Sequence, residues 1–250
     1  MKKIVLNSNY QKIIQVWFWD KAELPEFKND KIDLLEFKEA RFNINGSLKP
    51  FINGIIDLTK SENVIVNSIH KDFKYEARRA KKENIQAYVV NPISSKLFDE
   101  AYKLYQKFSA LKKISIIDKK YLINYLSTGS LAITCAQYND KIIQYHIYFR
   151  DFDEIILLAS FPNISISDLP DKYYGWSNRL LHMEDILQFK RESIKKYNLG
   201  GTGNPGSRGN ENIINFKMEM NPQKCEYFNG IIYLSAKAKL IKTIKSFLRN

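Results

Sequence analysis

Residues 131–160 read LAITCAQYNDKIIQYHIYFRDFDEIILLAS, and their reading decides the fold. Apolar and β-branched residues dominate 131–138, 142–149 and 155–160. Asn139-Asp140 and residues 150–153 separate these runs with turn-forming side chains. Strands joined by connections this short pair as an antiparallel meander. Along the middle strand, alternation puts Gln144, His146 and Tyr148 on one face.

Downstream, a loop over 162–172 leads into a long helix over 174–195 and a short strand over 197–199. The chain then runs into Gly200-Gly201-Thr202-Gly203-Asn204-Pro205-Gly206-Ser207-Arg208-Gly209. So much glycine lets a backbone approach a ligand closely. The loop lacks the Gly-Lys-Ser/Thr ending of a P-loop and is no dinucleotide fingerprint. Residues 211–218 read as helical and 227–233 as a strand pair or one bent strand. Residues 236–248 form an amphipathic helix, with Leu240, Ile241, Ile244, Phe247 and Leu248 expected inside and lysines outside.

Upstream, 68–83 reads as one basic helix, in which Ile69, Phe73, Ala77 and Ala80 recur at helical spacing. Asn84 ends it, and 86–90 reads as a strand. A helix follows with Leu97, Ala101, Leu104, Tyr105 and Phe108 on one face, then another over 119–126. Strand-like runs at 16–19, 34–43 and 51–58 precede all of these, with a turn at Asn45-Gly46. The expectation is an α/β class, a mixed α+β sheet with an antiparallel centre and one crossover. A domain over 61–250 would follow a smaller part over 1–60.

The chain has 250 residues, 44% hydrophobic and 26% charged, which excludes collagen-like, low-complexity and wholly disordered classes. No apolar run approaches the ~20 residues of a membrane span. The amino-terminal residues lack the sustained apolar core of a signal peptide. The two cysteines, Cys135 and Cys225, are far apart and read as free thiols of a reducing cytoplasm; no metal-ligand pattern is present. Lys and Arg number 39 against 27 Asp and Glu, a surplus of +12. That favours an anionic partner: nucleic acid, a phosphorylated cofactor or a membrane surface. Lysine-rich drift in an AT-rich genome accounts for it equally well.

Two stretches carry a family resemblance. The first is Ile56-Asp57-Leu58, followed by Tyr75-Glu76-Ala77-Arg78-Arg79-Ala80-Lys81-Lys82-Glu83-Asn84-Ile85. It resembles a strand ending in "IDL" before a basic helix. The second is Lys196-Tyr197-Asn198-Leu199-Gly200-Gly201, followed by Asn215-Phe216-Lys217-Met218. It resembles "YDFGG" followed by "FK". With the element order, these are similar to the GNAT acyltransferase superfamily, in the branch of the Fem-type aminoacyltransferases of peptidoglycan bridge synthesis and related cell-surface polysaccharide proteins. Asn198 and Asn84 stand where that branch often has Asp and Gly. The usual acetyl-CoA signature is missing, and the first 60 residues would be a truncated amino-terminal half.

The resemblance implies sites. The amino end of the long helix would receive the coenzyme A pyrophosphate, with Lys172, Tyr174, Gly175 and Arg179 around it; a helix amino terminus suits an anion. The third meander strand would splay and offer backbone donors near Ala159 and Ser160 to the thioester oxygen, where negative charge grows. Gly201, Asn204, Arg208 and Lys217 would face the acceptor. For proton handling the candidates are His146, His182, Glu184 and Asp185, with Asp185 three residues from His182 and able to orient it. Each has a plain structural alternative: a half-buried helix histidine, a surface lysine, an ordinary loop. Cys135 reads as a buried structural thiol, and the basic run over 70–82 as a solvated face or a nucleic-acid contact.

The expected activity is transfer of an acyl group from acyl-CoA to an amine of an amino sugar or peptide in a bacterial cell-surface glycan precursor. It would proceed by direct attack, without a covalent intermediate or a metal. Aminoacyl-tRNA-dependent transfer is the rival enzyme reading, and a non-catalytic binding module is the third. Peripheral contact with a membrane remains open.

Overall fold

Asn139 and Asp140 both adopt positive φ (46° and 59°), the backbone that a two-residue hairpin turn requires. The meander forms around that turn. In chain order the elements are β1 (Lys2–Asn7), β2 (Lys12–Trp17), β3 (Leu34–Ala40) and β4 (Lys49–Asp57), then α1 (Glu62–Ser68), α2 (Lys71–Lys82) and β5 (Gln86–Val89). Next come α3 (Ser95–Lys112), α4 (Lys119–Ser127), β6 (Leu131–Tyr138), β7 (Lys141–Arg150) and β8 (Glu154–Pro162). The chain closes with α5 (Asp171–Arg191), β9 (Lys196–Gly201), α6 (Glu211–Met218), β10 (Gln223–Tyr233) and α7 (Ala236–Phe247). The computed structural model describes residues 2–7, 11–26, 31–202 and 211–247.

The described residues form two compact units. One takes the chain up to Asn53 together with 225–247, and the other takes 54–202 together with 211–224. The units are discontinuous because β10 pairs antiparallel with β3, Ile231 opposite Glu36.

In the first unit β1 pairs antiparallel with β2, and β2 runs parallel to β3. Val16, Leu35, Phe37 and Ile44 are buried in its core. Phe18, at φ 55°, ends the expected strand over 16–19 early.

In the second unit the strands lie in the order β4-β9-β8-β7-β6-β5. β6, β7 and β8 form the antiparallel meander, and α5 is the crossover that makes β9 parallel to β8. Alternation along β7 sorts the layers. Tyr145 stacks on Phe161 and lies on the side of Tyr105 from α3. His146 and Tyr148 face α5. Apolar side chains of α5, among them Leu180, Leu181, Ile186 and Phe189, are buried against the sheet and α2.

Three local expectations need correction. The helix expected over 68–83 begins only at Lys71, and Ser68 ends a separate helix, α1, because Ile69 is extended (ψ 140°) and the His70 side chain caps α2 by accepting from Asp72 N–H. The long helix begins at Asp171, so Lys172 and Tyr174 lie inside its first turn. Leu240 and Ile244 of α7 are exposed where the pattern put them inside, while Ala238 is buried. Asn84 ends α2 in the left-handed conformation, φ 59°, as its position implies.

Candidate active site

Asn178, His182 and Asp185 recur at spacings of four and three on α5, so they share one helix face. Opposite them β7 presents Gln144, His146 and Tyr148, β6 presents Thr134, and β9 presents Tyr197. The result is a polar network inside the second unit, with His146, Tyr148, His182, Asp185 and Tyr197 all buried.

Three groups converge on Asp185 Oδ2: Tyr148 Oη at 2.5 Å, His146 Nδ1 at 2.8 Å and Thr134 Oγ1 at 3.0 Å. A carboxylate only accepts. Tyr148 therefore gives Asp185 its one hydroxyl proton, and its oxygen accepts from Tyr197 Oη at 2.8 Å. Tyr197 has then spent its own proton, so its oxygen accepts from His182 Nδ1 at 2.7 Å. The polarity of the chain thus puts the His182 proton on Nδ1 and leaves the Nε2 lone pair without a protein partner among the described residues.

His146 closes the network on the other side. Its Nε2 lies 2.8 Å from Asn178 Oδ1, which also receives Ser160 Oγ at 3.1 Å and Gln144 Nε2 at 3.3 Å. Burial first, then the charges of His146, Lys217 and Arg179, hold His182 well below the ordinary imidazole range. Its ring is therefore neutral near pH 7. Burial and the charge of Asp185 push Tyr148 and Tyr197 well above the ordinary phenol range, so both stay hydroxyls.

The network abuts a pocket of about 580 Å³. Its walls are Phe108 and Ile114 beside α3, Leu157, Ser160 and Pro162 of β8, Asn178 and His182 of α5, and Ile213, Phe216 and Lys217 of α6. It lies where two strands part. β8 pairs with β9 only from Glu154 to Ile156, yet continues along β7 as far as Pro162. A bulge between Ala159 and Leu157 accompanies the parting. Gly200, at φ 72°, turns β9 as the two diverge.

Asn198 holds this geometry. Its Nδ2 donates to the buried carboxylate of Glu154 at 2.9 Å, and its Oδ1 accepts from Gly200 N–H at 2.8 Å. An aspartate, as in the "YDFGG" pattern, has no donor for Glu154.

The expected sites fare unequally. His146, His182 and Asp185 come together, but Asp185 reaches His182 through Tyr148 and Tyr197, not directly. Ser160 reaches the pocket wall; Ala159 stands beside the bulge. Lys217 lies at the pocket and donates to Gly201 O at 2.7 Å, and burial pushes its ammonium down to about 8. Tyr174 lines the pocket while its Oη lies 3.0 Å from Ile166 O.

The phosphate cradle expected at the head of α5 is otherwise committed. Arg179 lies 3.3 Å from Glu76 and 3.0 Å from Glu219, between the rings of Phe73 and Phe216. Lys172 stands over the Trp176 ring, and Gly175 packs near Arg179 and Glu76. Two carboxylates thus match the charge of Arg179. Glu184 pairs with Lys81 at 2.6 Å outside the network. Asn204 and Arg208 lie outside the described residues. Burial pushes the Cys135 thiol up, the state of a structural thiol. Among the described residues no His, Cys, Asp and Glu cluster could hold a metal ion.

Asn178 and Thr134 have no place in the sequence reading; Tyr148 and Tyr197 do, on the His146 face and in the "YDFGG"-like stretch, but without a part in the site. The spacing of Asn178, His182 and Asp185 is a visible signal; nothing along the chain shows that Tyr197 meets Tyr148 and His182.

No protein-family model matches the chain, and neither does any curated protein. Solved structures do. FemX superposes with a TM-score of 0.62 at 10% identity, over 97% of this chain and 86% of that one. L-PGS from Bacillus licheniformis gives 0.55 at 12% identity, over 97% and 84%. The C-terminal domain (DUF2156) of a protein described as a lysylphosphatidylglycerol synthetase, from Agrobacterium fabrum, gives 0.57 at 12% identity, over 98% and 84%. The fold of this chain is GNAT-like, similar to that of FemX and of the lysylphosphatidylglycerol synthetase domain.

Proposed function

We propose that the chain transfers an acyl or aminoacyl group from an activated ester to an amine held in the pocket. The observation that carries this reading is the parting of β8 from β9 beside a neutral imidazole whose Nε2 has no partner among the described residues. Acyl transfer needs that combination: a slot beside a strand for the ester, and a base for the proton the attacking amine must lose.

The amine nitrogen attacks the carbonyl carbon directly. Backbone N–H groups near Ala159 and Ser160 take the growing negative charge. His182 Nε2 accepts the proton of the attacking nitrogen. The C–S or C–O bond then breaks, and the departing group receives that proton. No enzyme-bound acyl intermediate forms. Lys217 supplies a positive charge to an anionic part of the substrate, an amino sugar or peptide of a cell-surface glycan precursor. The resemblance of the stretches 196–201 and 215–218 to the Fem-type branch supports that acceptor class.

For the donor, an acyl-CoA thioester is the first reading. Aminoacyl-tRNA is the second, and one observation favours it: at the head of α5 both Arg179 terminal nitrogens are already paired, with Glu76 and Glu219, where a pyrophosphate would need them. Thermal melting against acyl-CoAs of rising chain length, beside filter binding of aminoacyl-tRNA across salt, separates them. A raised midpoint supports the thioester, since only a ligand of the native state raises it. Tight, salt-steep tRNA binding supports the ester. Turnover with neither donor overturns the activity.

A further inference from the structure

Helix α7 carries an apolar stripe on its outside. Leu240 and Ile244, one turn apart, are 62% and 50% exposed, while Ala238 is fully buried and Ile241 half-buried on the opposite face. Leu234, just before the helix, and Ile231 of β10 are exposed as well. Lysines flank the stripe: Lys237 and Lys239 are exposed on the helix. Between α7 and β10 lies a groove of about 610 Å³, lined by Ser47, Ile231, Tyr233, Lys239, Lys242 and Thr243. Lys242 stands 5.0 Å over the Tyr233 ring. Among the described residues neither Lys239 nor Lys242 forms an ion pair, so the groove holds two cations without counter-charges.

We infer that α7 and this groove dock the protein on an anionic phospholipid surface. An amphipathic helix binds at the interface by sinking its apolar residues to the headgroup boundary while flanking lysines meet anionic lipid. Here the apolar residues are exposed, and among the described residues no element covers them. The cations sit on both sides of the stripe and in the groove beside it, where lipid phosphates would lie. The overall surplus of +12 adds long-range attraction to the same partner. This inference concerns the first unit and does not depend on the activity proposed for the pocket in the second.

Co-sedimentation of the full chain with vesicles tests it. Phosphatidylcholine vesicles are compared with vesicles of phosphatidylcholine and phosphatidylglycerol in equal parts. The chain partitions to the mixed vesicles and not to the neutral ones. Leu240→Asn with Ile244→Asn leaves the net charge unchanged and lowers that partition about tenfold. Lys239→Gln with Lys242→Gln lowers it about tenfold and flattens its salt dependence. Melting curves confirm that each double variant is folded. Three outcomes overturn the inference: no partition to mixed vesicles at low salt, partition unchanged by the asparagine pair, or a dimer in sedimentation velocity that the asparagine pair dissociates. The last assigns the stripe to self-association.

Discussion

Tyr148 Oη donates to Asp185 Oδ2 at 2.5 Å, and this bond sets the direction of the hydrogen bonds that run from Asp185 through the two tyrosines to His182. A hydroxyl has one proton, and once Asp185 takes it, Tyr197 must donate to Tyr148 and His182 to Tyr197. Asp185 is therefore a positioning residue acting through two tyrosines.

That direction is measurable. Nitrogen-15 spectra of the imidazoles should show His182 neutral with its proton on Nδ1, the less common tautomer. Tyr197→Phe removes the acceptor, and the signal should move toward the Nε2–H form. With only three histidines in the chain, assignment by single substitutions is direct. A wild-type His182 protonated on Nε2 refutes the proposed base.

Stability should decline on the acid side. His182 is held below the ordinary 6.5, so below about pH 6.5 the unfolded chain binds a proton that the folded chain refuses. The full stability is present above that pH and is lost as pH falls. The slope from this one group is at most about 1.4 kcal/mol per pH unit. Urea melts of His182→Asn between pH 7 and pH 5 should give a correspondingly shallower slope than wild type.

Lys217 titrates in an accessible range. Its ammonium, pushed down to about 8 by burial, is charged below that pH and neutral above it. Binding of an anionic ligand in the pocket should weaken about tenfold between about pH 7 and about pH 9. Lys217→Arg keeps its charge and should remove the decline. Thermal-shift titration with the best acyl-CoA at each pH reads both.

Asn198→Asp should destabilise the chain by about 3 kcal/mol or more, since it sets two buried carboxylates against each other. Adding Glu154→Gln restores a donor and should recover most of the loss, a coupling that urea melts of the two single variants and the double variant would show. Additive losses would mean that the bond between Asn198 and Glu154 is not the cause.

The meander was legible because each strand carries its own alternation and each turn its own chemistry: Asn139-Asp140 takes the positive φ that its side chains tolerate. The crossover helix and β9 followed from the length of the apolar pattern and from the glycines that end it. His146, His182, Asp185 and Lys217 were visible as residue types at telling places. Their connection was not, because Tyr148 and Tyr197 are separated by a whole helix and meet only when β8 and β9 become parallel neighbours. The misreading of α7 has a similar origin. Periodicity shows that a helix has two faces, but which face is covered depends on what packs against it, and there Ala238 faces inward.

Secondary structure, turn positions and the basic surplus are local or additive properties of the chain, and they can be counted along it. The pairing of β10 with β3, the ion pairs that occupy Arg179, and the proton order from Asp185 to His182 depend on distances between residues far apart in sequence. A hydrogen bond exists only within a few tenths of an ångström of its optimum. Only packing brings those atoms together, and with them the lone pair on which the proposed chemistry rests.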